Sequence, residues 1–193
     1  MNIKHLLAIL ICGSSVAGMT AMAAIPTCME LDLRAAPVGQ SCVTHEGFEF
    51  VLVARQGREG QYEVWQDATT RSLWGDRSDE VKVHEEAFAW CTSDDSLAHR
   101  GGLTEHQWII PSRADFEVAE SHGFRQVLPH MPLRAVWTSS VYTPDERFAY
   151  VFSGSLGTTT SIDMRDPKHA DGYWYGHSAN VMARCMAVPA SLK

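Results

Sequence analysis

Trp108-Ile109-Ile110-Pro111-Ser112 opens an amphipathic helix and organises the reading of the whole C-terminal half. The Trp plugs a core and the Pro ends a strand. Ser112 is an N-cap, with Asp115 three residues on as a shortened capping-box partner. Phe116 and Ala119 follow, and Gly123 stops the helix. Beyond it, Phe124, Val127 and Leu128 read as a buried turn before Pro129. Strands are predicted over 136–139, 148–152 and 158–162, with Gly154-Ser155-Leu156-Gly157 joining the last two, and a final strand over 180–188. Upstream, Phe48, Phe50 and Leu52 alternate with Glu49, Val51 and Val53. After a turn at Gly57 to Gly60, Tyr62 and Val64 begin a second strand, so 48–66 is predicted to be a hairpin. Helical spacing over 81–91 puts Val83, Ala87, Trp90 and Cys91 on one face, and the polar stretch 92–107, with Gly101-Gly102, reads as a loop. Strands and two helices in this order do not alternate as βαβ units, so the expected class is α+β.

The N-terminus reads as an export signal over 1–23. Lys4 supplies the basic end, the apolar run from Leu6 to Val16 is too short for the ~20 residues that span a bilayer, and Ala21-Met22-Ala23 is the cleavage site. The expected mature chain has an irregular segment at 24–47 and one domain at 48–193, exported to the periplasm or beyond, with no membrane insertion after cleavage. Loss of Lys4 leaves 15 of 16 basic residues against 23 acidic ones, a net charge of −8. Such a chain has no electrostatic footprint for nucleic acid and no polybasic stretch for anionic lipid. Cys12 leaves with the signal, and the four remaining cysteines, an even count in an exported chain, read as two disulfides with three pairings open. No C-x-x-C spacing points to metal or redox use.

Several stretches, taken in order, carry a family resemblance. They are Asp67 to Trp74, Ala87-Phe88-Ala89-Trp90-Cys91, Trp108 to Ser112, Trp137-Thr138-Ser139-Ser140, Ala149-Tyr150-Val151-Phe152, and Ala183-Arg184-Cys185-Met186-Ala187-Val188. Together they resemble the Lcl C-terminal domain family of secreted bacterial modules, over residues 60–188. That family is related to formylglycine-generating domains and to the C-type-lectin-like fold. Two positions depart from its pattern: Ile109-Ile110 replaces the usual Arg-Leu, and Arg71 stands where glycine is more usual. The resemblance implies a C-type-lectin-like α+β domain, two helices packed on a mostly antiparallel sheet, stapled by disulfides. It implies a bridge from the first helix to the last strand, Cys91–Cys185; the irregular N-terminal segment, outside the resemblance, reads as clipped by Cys28–Cys42. It also implies recognition or adhesion rather than catalysis, with a glycan or a protein surface as partner.

The residues themselves carry no enzyme signature. Ser153-Gly154-Ser155-Leu156-Gly157 has the wrong order for a nucleophile elbow, and no phosphate-binding glycine loop occurs. The histidines at 45, 84, 99, 106, 122, 130, 169 and 177 form no zinc-binding spacing. Asp163, Asp166, Asp171 and Asn180 supply oxygens for calcium, but without the Glu-Pro-Asn, Gln-Pro-Asp or Trp-Asn-Asp elements of calcium lectins. No cofactor, metal or catalytic residue is therefore expected. A sulfatase-modifying type of enzyme would need a reactive thiol, and a structural envelope subunit would need no ligand. Neither a coiled coil nor a collagen-like stalk specifies an oligomer. The richest binding candidate is 164–179, which holds Arg165, Lys168, His169, Tyr173, Trp174, Tyr175 and His177. Aromatic faces stack on sugar C–H groups or peptide groups, and basic neighbours meet sulfate or carboxylate. The alternative is that Trp174 and one tyrosine turn inward as core.

Overall fold

The alternation read at 48–66 builds a hairpin at the heart of a larger sheet. The structure is a computed structural model that describes residues 24–128, 131, 135–164 and 181–188. In chain order its elements are β1 (Ser41–Val43), β2 (Glu49–Gln56), β3 (Tyr62–Asp67), β4 (Leu73–Arg77), α1 (His84–Thr92), β5 (Trp108–Ile109), α2 (Arg113–Ser121), β6 (Ala135–Val141), β7 (Phe148–Ser153), β8 (Thr158–Asp163), β9 (Val181–Met182) and β10 (Arg184–Ala187). One sheet runs β1-β2-β3-β4-β10-β5, antiparallel throughout. The other runs β8-β7-β6-β9, antiparallel except for the parallel β6–β9 pair. The domain is thus α+β, with two α-helices and mostly antiparallel sheets.

Two cores lie around these sheets. Phe50 and Leu52 of β2 enter the first, together with Trp65, Trp74, Phe116, Phe124 and Phe152. There Phe116 stacks on Phe152 at 4.8 Å and Trp74 tilts against Phe116 at 5.4 Å. A bulge between Leu52 and Ala54 then breaks the alternation, so Ala54 joins the second core with Ala87, Trp90, Cys91, Trp137 and Val151. Bulges bend a strand and redirect its side chains. This one lets a single strand serve both cores.

The second helix forms as read. The Ser112 hydroxyl accepts from the Asp115 N–H, the Asp115 carboxylate accepts from the Ser112 N–H at 2.7 Å, and Gly123, at φ +78°, ends the helix in the left-handed region. The first helix starts later than its spacing suggests, at His84 rather than Val81. The reason is tertiary: the Lys82 N–H donates to the Val181 carbonyl at 3.0 Å, which holds the chain before Val83 alongside β9. The Val83 N–H is then taken by the Glu86 carboxylate at 3.2 Å, which satisfies a donor at the helix start. Ala87, Trp90 and Cys91 are buried, as their spacing implies, while Phe88 faces solvent.

Three strands differ from the sequence reading. Residues 73–77, to which the sequence reading assigned no element, form β4 between β3 and β10. Residues 41–43 of the N-terminal segment form the edge strand β1. The single final strand is two. The Ala183 carbonyl accepts from the Ser78 N–H at 2.8 Å, and its own N–H donates to the Ser78 hydroxyl at 3.0 Å, so β9 joins one sheet and β10 the other. The last strand therefore couples the two sheets.

Both expected disulfides form: the helix-to-last-strand bridge that the resemblance implies, and the clip read in the N-terminal segment. Cys28–Cys42 joins residues 14 apart, and Cys91–Cys185 ties α1 to β10 across 94 residues. All four cysteines are buried. Such bridges form and persist in oxidising, exported compartments. Among the described residues no helix is long and apolar enough to cross a membrane. The signal at 1–23 lies outside the described residues.

Candidate recognition surface

The sequence-derived binding residues Arg165, Lys168, Tyr173, Trp174, Tyr175 and His177 all lie outside the described residues. The described strands define where their segment starts and returns. β8 ends at Asp163, paired with Phe148 of β7, and β9 begins at Val181, opposite Ala135 of β6. β8 and β9 run in the same direction on opposite edges of one sheet. The 17 residues 164–180 thus connect parallel strands that lie three strand spacings, or about 14 Å, apart. Parallel connections need a dozen or more residues, so the topology alone accounts for most of the segment's length.

Beside that departure point sits an aromatic surface. Alternation along β7 sends Ala149 and Val151 into the second core, and Phe148, Tyr150 and Phe152 to the opposite face. Phe152 is covered by α2, whereas Phe148 and Tyr150 remain half-buried. Tyr142 follows β6, its N–H donating to the Phe148 carbonyl at 2.8 Å, and its ring meets Tyr150 edge-on at 5.8 Å. The Arg113 guanidinium lies 4.7 Å above the Tyr150 ring. It is held there from two sides: the Arg113 N–H donates to the Ser140 hydroxyl at 3.0 Å, and Nε donates to the Glu117 carboxylate at 2.6 Å. That carboxylate raises the guanidinium pKa further, fixing its charge. Arg147 forks onto Asp145 at 3.0 Å and 3.1 Å and approaches Phe148 at 5.9 Å. Part-exposed aromatic rings beside fixed cations are the chemistry of sugar stacking, peptide stacking and cation–π contact.

Sequence reasoning quoted Tyr150 only as part of a scaffold signature and did not single out Tyr142. The alternation Ala149-Tyr150-Val151 carried the signal for Tyr150, because its neighbours are core residues. Nothing local pointed to Tyr142 or to Arg113, which reaches Tyr150 from another element.

Two buried polar clusters lie elsewhere. His122 Nδ1 sits 2.6 Å from the Asp67 carboxylate, with Phe48 stacked on the ring at 3.8 Å. The other Asp67 oxygen accepts the Thr69 N–H at 2.8 Å, and the Thr44 hydroxyl donates to the His122 carbonyl. This pair ties the end of α2 to the turn after β3. Among the described residues no serine, threonine or cysteine side chain is hydrogen-bonded to the His122 ring. In the second cluster His99 is buried between Tyr62 at 3.8 Å and Trp90 at 5.0 Å, 3.4 Å from Asp79, which accepts the Tyr62 hydroxyl. Burial lowers the His99 pKa despite Asp79 nearby. No three His, Cys, Asp or Glu side chains gather as a metal site among the described residues. No family model, no curated protein and no solved structure matches this chain.

Proposed function

We propose that this chain is an exported, non-catalytic recognition or adhesion module on a C-type-lectin-like scaffold. It binds a glycan or a protein surface through 164–179 and the adjoining strand ends. The observation that carries the reading is the Tyr142–Tyr150–Arg113 cluster, part-exposed and set beside Asp163, where that segment leaves the sheet. Rigid strands hold the rings, Ser140 and Glu117 hold Arg113, and the Cys91–Cys185 bridge holds the scaffold. Such preorganised aromatic anchors carry much of an interface's energy. Arg165, Lys168, Tyr173, Trp174, Tyr175 and His177 extend the same chemistry along the chain.

The test is binding of the oxidised protein to glycan arrays and to surface-protein preparations, with Tyr150→Ala and Trp174→Ala beside the wild type. Each substitution is expected to weaken attachment by about tenfold, the effect of losing one anchor of roughly 1.4 kcal/mol. Blank arrays and pull-downs, or attachment unchanged in both variants, would overturn the reading.

A further inference from the structure

We propose that the cavity between the six-stranded sheet and the 103–106 loop is a binding site for a small aliphatic carboxylate, separate from the aromatic surface on the other sheet. It encloses about 310 Å³, at the lower end of small-molecule sites. Its walls divide by chemistry. Val53 of β2, Leu73 of β4, Leu103 of the loop and Val188 after β10 form an aliphatic lining, and Gln66 of β3, Arg71 and His106 are its polar residues. Val53 and Leu103 pack against the second core yet stay only partly covered, so the apolar lining is accessible.

Arg71 is the telling residue. Its φ is +61°, a conformation that glycine adopts freely and arginine does not. The surrounding turn over-determines it. Asp67 accepts the Thr69 N–H on its carboxylate at 2.8 Å and the Arg71 N–H on its carbonyl at 2.7 Å. Thr70 and Ser72 share a hydroxyl contact at 2.7 Å, and the Gln66 amide donates to the Arg71 carbonyl at 3.4 Å. Strained residues held this firmly cluster at ligand clamps. Among the described residues the exposed Arg71 guanidinium has no carboxylate within ion-pair distance, while His106 lies 3.3 Å from Glu105. On a chain of net charge −7, an arginine that lines an aliphatic cavity and forms no ion pair among the described residues selects a ligand with one anionic head and an apolar body.

Octanoate, 1-octanol and octyltrimethylammonium, titrated separately into the isotope-labelled oxidised protein and followed by amide NMR, test this. Octanoate is expected to shift the amides of Val53, Leu73, Leu103 and His106, with octanol and the ammonium each weaker by about tenfold, the worth of one charge-assisted hydrogen bond. Arg71→Gly removes the charge and relieves the backbone together. It is expected to weaken octanoate by the same factor without lowering the melting temperature, so loss of binding is not loss of fold. Leu103→Trp, which fills the cavity, is expected to abolish the shifts. The proposal is overturned if octanoate leaves these amides unmoved, if the three probes bind alike, or if Arg71→Gly keeps the wild-type affinity. Retained attachment through Tyr150 and Trp174 in Arg71→Gly would separate this site from the proposed recognition surface.

Discussion

Removing the long disulfide should cost this domain more than removing the short one, and by an amount its loop lengths specify. Cys91–Cys185 closes a loop between residues 94 apart, and Cys28–Cys42 one between residues 14 apart. In the chain-entropy account, loops of these sizes stabilise the folded state by about 4.7 and about 3 kcal/mol. All four cysteines are buried, so Cys→Ala pairs leave voids of similar size and the difference between the two double variants isolates loop length. The expected gap is therefore about 1.7 kcal/mol. Against a total stability of roughly 5–15 kcal/mol for a domain, loss of the long bridge removes a large share. Urea unfolding of wild type, Cys91→Ala/Cys185→Ala and Cys28→Ala/Cys42→Ala under non-reducing conditions measures both terms. Equal costs, or a larger cost for the short bridge, would refute the reasoning. So would non-reducing peptide maps that separate Cys91 from Cys185, because the α1-to-β10 clamp would then be absent.

Other expectations follow from single contacts. Asp76 is buried 3.3 Å from the fully buried Arg184, whose pKa burial lowers to about 10. Asp76→Ala takes away that carboxylate and should cost about 3–5 kcal/mol, whereas Asp76→Leu with Arg184→Met should recover most of it; urea melts showing a silent single variant would contradict this. His99 and His84 both have pKa values lowered below 6.5, chiefly by burial, with Asp79 and Asp76 opposing the shift at His99 and the Thr138 carbonyl opposing it at His84. The unfolded chain then binds protons first, so stability should fall as pH drops below 6.5 and level off beneath the folded values. His99→Gln should flatten that acid limb in melting temperatures recorded across the range, and an unchanged slope would count against the burial of His99. Gly101 has φ +66° and an added Cβ would stand 2.5 Å from Ala54 Cβ, while at Gly102 the nearest atom is 3.4 Å away. Gly101→Ala should cost about 1–3 kcal/mol more than Gly102→Ala; equal melts would mean the 93–107 loop does not seat on β2 and β3.

Local chemistry was the legible part of this protein. A capping box, a stop glycine and a period-two alternation act over two to four residues, so Ser112 with Asp115, Gly123, and Phe50 with Leu52 announced their elements. Arg71 carried no local mark of its left-handed backbone, a conformation that glycine adopts freely and arginine does not. Of the candidate site, Tyr150 lay within a quoted stretch. Tyr142 and Arg113 did not stand out, because Arg113 reaches Tyr150 from α2 while Tyr142 reaches it from the end of β6. The aliphatic cavity was equally hidden, since its lining comes from β2, β4, a loop and the chain after β10.

By itself the chain's order of residues determined the class of fold, α+β with two helices, and an even count of cysteines read as two crosslinks. Composition left the four cysteines three ways to pair, and only the folded chain brings Cys91 against Cys185. Tertiary structure also decided where the last strand divides. Ser78 supplies two hydrogen bonds to Ala183, 105 residues away, and no local pattern encodes a partner at that distance. Caps and alternation are satisfied within a turn or a strand, whereas strand exchange, bulges and binding surfaces are satisfied only by groups that folding brings together.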